Sequence, residues 1–404
     1  MGARRGAVAS QDARAPLWRS GFRPFFLAGA LFGPLALAAW YGAHIGAWSA
    51  PGPPALWHGH EMVYGFLVAI ISGLLLTALP SWAGVQEIAG RNLALLVGVW
   101  IAGRIAMACA SLLPYPVVAA VDVAELPLLA SLLASGLWRV PQRKFLVVVP
   151  VLAALATANF AFHDAIAGQD AERAAQALAG GVGIVVVLFS LVGGFMTPVF
   201  TNNALRERGS PQRAWRSTRL DVAAHLTAIA FAVAHAFPVP GPVAAPIGLA
   251  ACAMHAIRLL GWQGHRARHD ALVLGMHAGY AWLVAAFAIG GLADAGIAFG
   301  SRDWIHAATI GAFGTMMLAL MPRVSLRHTG RRLAQAHGLV PAYVAMALAG
   351  LLRLAYSAAP SAAWTLAAAG ALWAACFGAY VVVYGPMLLR PSLPRAPVSG
   401  LGVS

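Results

Sequence analysis

The sequence predicts an all-α, polytopic membrane protein with about twelve transmembrane helices. Of the 404 residues, 60% are hydrophobic and only 10% are charged, whereas a soluble domain carries about 25% charged residues. The apolar residues come in blocks of about 17 to 24, and a helix that crosses a bilayer needs about 20. These observations exclude a soluble secreted protein, a disordered chain, an aqueous Rossmann-type enzyme and an outer-membrane barrel.

The hydrophobic blocks define the predicted helices in order. They cover residues 25–47, 61–80, 92–113, 117–137, 145–163, 175–197, 220–237, 242–260, 271–292, 304–321, 339–356 and 362–388. The connections are short and rich in proline and glycine, so they leave no room for a soluble domain. We therefore expect a basic N-terminal segment (1–24), a transmembrane domain (25–388) and a C-terminal tail (389–404). The longest connections, 198–219 and 322–338, are the expected surface segments.

The positive charge follows the predicted topology. The formal net charge is +14, yet 22 of the 27 basic residues lie on the segments that share a side with the N-terminus, and only Arg173 and Arg302 lie on the other side. Basic loops are retained in the cytoplasm, so both termini are expected there. The charge thus reflects insertion in a lipid bilayer, and nucleic acid is not an expected partner. The three cysteines stand singly in apolar blocks, where we interpret them as core residues.

Histidines within the spans are the main candidate ligands, because polar groups inside a membrane usually serve a pathway or a cofactor. His225, His255 and His277 are expected roughly 8 to 10 Å below the cytoplasmic face on three successive helices, at about 1.5 Å per residue. If those helices are neighbours, the three rings can bind one metal ion. Asp221 precedes His225 by four residues and can orient its ring.

A second histidine layer is expected near the outer face. The string W-H-G-H-E-M (57–62) places His58, His60, Glu61 and Met62 at a helix entrance, and imidazole with thioether suits copper or haem iron. His306 has the same expected depth, and His44, His163 and His235 belong to the same expected layer. The segments 57–80 and 304–322 also share a Trp, a His, a Gly five residues later and a final Pro, a weak sign of a repeat. The alternative for each of these histidines is an interfacial or hydrogen-bonded core residue.

Charged residues inside the spans form another candidate group. Arg104 has the same expected depth as Asp122 and Glu125 on the next span, which predicts a buried pair of Arg104 with Glu125 and Asp122 one turn further out. This pair is a structural clamp, a proton relay or an anchor for haem propionates. Arg353 has no acidic partner at helical spacing, so it is the better propionate candidate.

Six strings resemble the NnrS family. They are L-W-R-S-G-F-R-P-F-F (17–26), W-H-G-H-E-M-V-Y-G-F (57–66), F-T-N-N-A-L (200–205), R-L-L-G-W (258–262), H-A-G-Y-A-W (277–282) and the long string from His306 to Arg331. The resemblance implies a twelve-span bacterial inner-membrane protein that contains haem and copper and is associated with denitrification and the nitric oxide response. The histidines in these strings that carry over as site residues are His58, His60, His277, His306 and His328. Other polar residues of the strings that we take as candidates are Asn202, Asn203 and Arg323. Pro322 departs from the family pattern, in which threonine is expected before the arginine.

The helix number also resembles, distantly, the catalytic subunit of haem-copper oxidases, although paired copper-binding histidines are absent from span seven. Three function classes stay open: a haem and copper protein that binds nitric oxide or another diatomic ligand, a quinol- or cytochrome-linked reductase of NO or O2, and a small-molecule transporter. Enzymatic turnover, catalytic residues and the electron donor are left undetermined. The working hypothesis is one cofactor site per face, with b-type haem at the outer layer (His58, His60, His306) and copper at the inner layer (His225, His255, His277).

Overall fold

A computed structural model describes residues 15–48, 52–139, 143–333, 336 and 338–394. Most of the predicted N-terminal segment (residues 1–14) and of the predicted tail (395–404) therefore lies outside the described residues. Within these ranges the regular structure is helical throughout, with no strand.

Twelve long helices follow the predicted order within the described ranges. They are α1 Phe22–His44, α2 Pro54–Ala83, α3 Arg91–Ala108, α4 Tyr115–Leu137, α5 Phe145–Ala167, α6 Ala171–Glu207, α7 Thr218–Ala236, α8 Gly241–Gly261, α9 Ala271–Asp294, α10 Asp303–His328, α11 Leu339–Ala358 and α12 Ala363–Leu389. All except α7 are long and apolar enough to cross a membrane. Arg219, Asp221, His225 and His235 make α7 more polar. An all-α polytopic membrane protein is confirmed.

The helices surround a central group made of α2, α6, α9 and α10, whose residues are mostly buried. The first and last helices pack against each other, and the Arg23 guanidinium donates to the carbonyls of Leu388 at 2.7 Å and Arg390 at 2.8 Å. Because the start of α1 meets the end of α12, these two ends lie on one face, which we call the arginine-rich face. The opposite face, where α1 ends and α2 begins, is called the histidine-rich face.

Two helices continue past their predicted ends. The expectation that 198–219 and 322–338 are long surface connections is wrong, because α6 runs to Glu207 and α10 runs to His328. Pro198 and Pro322 lie inside these helices. In a packed transmembrane bundle neighbouring helices tolerate such prolines, so a proline that suggests a helix end in the sequence need not cause one.

Two π-helical turns interrupt the central helices. Glu61–Leu67 within α2 directly follows His60, and Ala307–Gly314 within α10 directly follows His306. The two segments whose sequences echo each other thus share an unusual backbone conformation as well. A π-helical turn shifts the register of side chains and is frequent at functional sites.

Candidate functional site

A cavity of about 620 Å³ opens between α1, α2, α10 and α12 on the histidine-rich half of the bundle. Such a volume lies within the range of about 300 to 1,000 Å³ that is usual for cofactor and ligand sites. The cavity walls are mostly apolar, and the basic side chains among them are His58, His306, Arg302 and Arg353. We call it the histidine cavity.

Small side chains on α12 create the space. Ala367, Gly370, Ala371 and Ala374 all line the cavity and recur at the spacing that places residues on one helix face. On the opposite wall, α1 contributes Pro34 and residues at the same spacing, up to Tyr41. Together with Leu366 and Trp373 of α12, these small residues bound a slot beside α1.

Three side chains of the histidine cavity each have a buried nitrogen atom without a hydrogen-bond partner. His58 Nδ1, His306 Nδ1 and Arg353 Nη1 are buried and make no hydrogen bond. The His58 ring stacks on Trp40 with centroids 4.3 Å apart, which holds the imidazole in place. A buried polar group without a partner costs free energy, so these three atoms point to a ligand that satisfies them. Met62 also lines the cavity, one helical turn after His58.

His60 does not line the histidine cavity. Residues two apart on a helix do not share a face, and His60 instead points towards α4 and α5, where it is fully buried. The expectation that His58, His60 and His306 form one set is therefore wrong for His60. His60 belongs instead to a second group of buried polar residues, which we call the His60 cluster. It consists of His60, Glu61, Arg104, Asp122, Asn159 and His163.

The His60 cluster centres on the carboxylate of Asp122. Asp122 Oδ2 lies 3.1 Å from His60 Nε2 and 3.0 Å from His163 Nε2, and it accepts from Asn159 Nδ2 at 2.8 Å. His60, Asp122 and His163 each offer one ligand atom, and these three atoms lie within 4.8 Å of one another. Among the described residues, no other group of three or more His, Cys, Asp or Glu residues converges this closely.

Arg104 balances the acidic groups of the cluster. Its guanidinium donates from Nη1 to Glu61 Oε1 at 2.8 Å and from Nη2 to Asp122 Oδ1. The prediction that Arg104 pairs with Glu125 is wrong. The buried Glu125 carboxylate accepts a hydrogen bond from Ser72 Oγ at 3.0 Å instead. The helix end explains the difference. Because α3 ends at Ala108 rather than at 113, Arg104 lies closer to the membrane surface than predicted and reaches the outer carboxylate.

Among the described residues, the three inner histidines do not converge on one site, and two of them make hydrogen bonds of their own. His255 Nδ1 lies 2.7 Å from Tyr280 Oη and its Nε2 lies 3.0 Å from the Ala224 carbonyl. His277 Nε2 lies 2.9 Å from Thr201 Oγ1. His225 Nε2 is buried without a partner.

Asp221 does not bond to His225 as predicted. Its carboxylate accepts from Arg258 Nε at 2.9 Å and from Arg216 Nη2 at 3.2 Å. A guanidinium is a stronger partner for a carboxylate than a neutral imidazole, which explains why Asp221 pairs with the two arginines rather than with His225.

The remaining predicted residues lie near the arginine-rich face. Asn202 Oδ1 accepts from the backbone N–H of Ala214 at 2.8 Å, and Asn203 is half-buried beside it. The buried Arg323 guanidinium lies 3.8 Å from the Phe200 ring centroid. His328 is half-buried against Phe22, with ring centroids 5.8 Å apart. These contacts lie towards the arginine-rich face, at the opposite end of the helices from the histidine cavity.

Asn159 of the His60 cluster and the neighbouring Tyr115 were not singled out from the sequence, and His163 was placed in the outer histidine layer without being assigned to a site. Asn159 and His163 project from α5, and Tyr115 Oη lies 2.9 Å from His163 Nδ1. Asn159 and His163 are four residues apart in an apolar span, so they share a helix face. That spacing was the available signal.

Comparison with known proteins agrees with the motifs. A search of curated proteins finds no match. The family model described as NnrS protein matches residues 16–392, nearly the whole chain. The match includes both α2 and α10, which carry the histidine cavity, and both α4 and α5, which complete the His60 cluster. The chain therefore belongs to the NnrS family.

Proposed function

We propose that this protein binds b-type haem in the histidine cavity and that the haem serves the nitric oxide response by binding nitric oxide or a similar diatomic ligand. Membership of the NnrS family supports an association of this membrane protein with that response. The observation that carries the haem assignment is that two imidazoles and one guanidinium in a single, mostly apolar cavity each have a buried nitrogen without a hydrogen-bond partner.

The residues present fit a haem group. Axial ligands of haem iron include histidine and methionine, and His58, His306 and Met62 all line the cavity. Arg353 and Arg302 supply positive charge for the two propionates, since guanidinium groups bind carboxylates well. The sequence has no C-x-x-C-H motif for covalent haem attachment, which favours a non-covalent b-type group. When bound, haem supplies an iron centre whose ligand access depends on the surrounding pocket.

We also propose that the protein lies in the bacterial inner membrane with both termini in the cytoplasm, where it contributes to denitrification or to relief of nitrosative stress. The support is the bias of arginine towards one face, which includes Arg23 beside the carbonyls at the end of α12. Cationic connections are retained on the cytoplasmic side.

The test is the absorption spectrum of the purified full-length protein, recorded oxidised and dithionite-reduced, with haem quantified against protein. We expect a Soret band in the wild-type protein, and a loss of most of it in His58→Ala and in His306→Ala. Addition of nitric oxide to the reduced protein is expected to shift the Soret band.

His44→Ala is the matched control, because His44 lies exposed on the same face, one turn after Trp40. It is expected to retain full haem content. A wild-type protein without haem, or His58 and His306 variants that both keep full haem occupancy, would rule out the proposed cavity assignment.

A further inference from the structure

We infer that His60, Asp122 and His163 bind one first-row transition-metal ion, copper(II) by preference, at a site separate from the histidine cavity. The inference deepens the proposed function. It rests on that function only for the role of the metal ion, which would lie in the same half of the protein as the haem. The copper ion that the sequence led us to expect at His225, His255 and His277 is thereby assigned to a different set of residues.

The donor atoms are already convergent. His60 Nε2 and His163 Nε2 approach the same oxygen, Asp122 Oδ2, from α2 and α5. Asn159 Oδ1 lies 3.0 Å from His60 Nε2 and is available as a fourth donor. Two imidazoles with oxygen ligands suit copper, zinc or iron, and among divalent ions copper binds such sites most tightly.

Hydrogen-bond roles in the His60 cluster require a cation at His60. Its Nδ1 faces Glu61 Oε1 at 2.9 Å, while its Nε2 faces Asn159 Oδ1 and Asp122 Oδ2. With both carboxylates ionised, all three oxygens are acceptors only. A neutral imidazole carries a single N–H, so one ring nitrogen would be left facing acceptors without a hydrogen. Either the ring carries a second proton, or its N–H is on Nδ1 and a metal ion lies at Nε2.

The outer partners of both histidines match those of metal ligands. A metal-bound histidine usually gives its other ring nitrogen to a carboxylate, a carbonyl or another polar group. Glu61 holds His60 Nδ1 in this way, and Tyr115 Oη lies 2.9 Å from His163 Nδ1. Both Nε2 atoms are thereby directed towards Asp122.

Charge also leaves room for a cation. Glu61 and Asp122 carry two negative charges when ionised, and Arg104 pairs with both. With neutral histidines the three groups have a net charge of −1, in a buried environment where unbalanced charge is costly. A bound copper(II) ion changes this net charge from −1 to +1, so it removes the excess negative charge without requiring protonation of His60.

The experiment measures metal directly and haem separately. Full-length protein is stripped with chelator, titrated with copper(II) and analysed by elemental analysis and electron paramagnetic resonance. We expect one copper ion per chain with hyperfine coupling to nitrogen. Asp122→Asn and His163→Gln are expected to lose it, and Tyr115→Phe is expected to weaken copper affinity by roughly 10- to 100-fold, as for other residues that orient a ligand.

Two controls separate this site from its alternatives. His277→Ala is expected to retain copper. Loss of copper in this variant would show that the inner histidines bind the metal. His58→Ala should lose haem and keep copper, so failure of the haem proposal and failure of the metal proposal give different results.

Haem retained in Asp122→Asn or Tyr115→Phe shows that the variant is folded. Haem-replete wild-type protein that binds no copper would overturn the inference, as would full copper content in folded Asp122→Asn and His163→Gln. Zinc or iron bound in preference to copper, with the same residue dependence, would overturn the choice of ion.

Discussion

The imidazoles of His58 and His60 lie on opposite sides of α2 and belong to different sites. His58 lines the histidine cavity, while His60 contacts Glu61, Asn159 and Asp122 in the cluster towards α4 and α5. Two residues along a helix amount to about 200° of rotation at 3.6 residues per turn. The H-G-H string therefore joins two candidate cofactor sites across the width of a single helix.

Filling the histidine cavity should exclude haem without removing any candidate ligand. A Cβ at Gly370 would make an ordinary contact with Leu37 at 3.7 Å, so Gly370→Leu is accommodated at its base and places its remaining atoms in the cavity. We expect the haem-to-protein ratio of the purified variant to fall severalfold. Gly378→Leu is the control on the same helix, because nothing lies within 4 Å of its Cβ position. Equal haem content in both variants would contradict the assignment of the slot.

Removal of the Arg104 guanidinium should destabilise the bundle strongly. Arg104→Met leaves Glu61 and Asp122 buried without their cation, and breaking a buried ion pair typically costs about 3 to 5 kcal/mol. The measurement is the free energy of unfolding in detergent. Arg173→Ala removes an exposed pair with Asp164, for which about 0 to 1 kcal/mol is expected. Similar losses in the two variants would show that the cluster contributes no special stability.

Gly194 on α6 should not tolerate a methyl group. A Cβ at this position would overlap the Arg258 guanidinium, which Asp221 and Tyr280 hold at 2.9 Å and 2.7 Å. Gly194→Ala is expected to cost about 1 to 3 kcal/mol of unfolding free energy, as for other overpacked cores. At Gly98 the added Cβ meets nothing within 4 Å, so Gly98→Ala should be neutral or stabilising by up to about 1 kcal/mol. A larger loss of unfolding free energy in Gly98→Ala than in Gly194→Ala would show that the Arg258 side chain moves aside without cost.

Reporter fusions should distinguish the two faces. Gly168 and Ala295 follow α5 and α9 at the histidine-rich face, and Arg208 and Arg331 follow α6 and α10 at the arginine-rich face. We expect alkaline phosphatase activity from fusions after the first pair and activity of a cytoplasmic reporter from fusions after the second. An exported reporter at Arg208 would reverse the orientation and place the histidine cavity on the cytoplasmic side.

Local chemistry was sufficient to predict the helices. Each span must be apolar over its own length because the bilayer interior offers no water to its backbone, and this requirement is visible in the sequence without knowledge of neighbouring spans. The existence and order of the helices were predicted on this basis, whereas the ends of α3, α6 and α10 were misplaced. Pro198 and Pro322 lie inside helices, which packed neighbouring helices tolerate, and that packing is invisible in the sequence of a single span.

The pairing of side chains depended on how the helices pack. Depth along each helix was estimated from residue counts, and it correctly grouped His58 with His306 near one face. Depth leaves the direction of each side chain around its helix undetermined, and so His60 was assigned to the wrong set and Arg104 to the wrong carboxylate. His60 meets Asn159 and His163 because α2, α4 and α5 turn particular faces towards one another. That choice is made by the packing of the whole bundle, in which each helix rotates to bury its polar side chains against partners rather than against lipid.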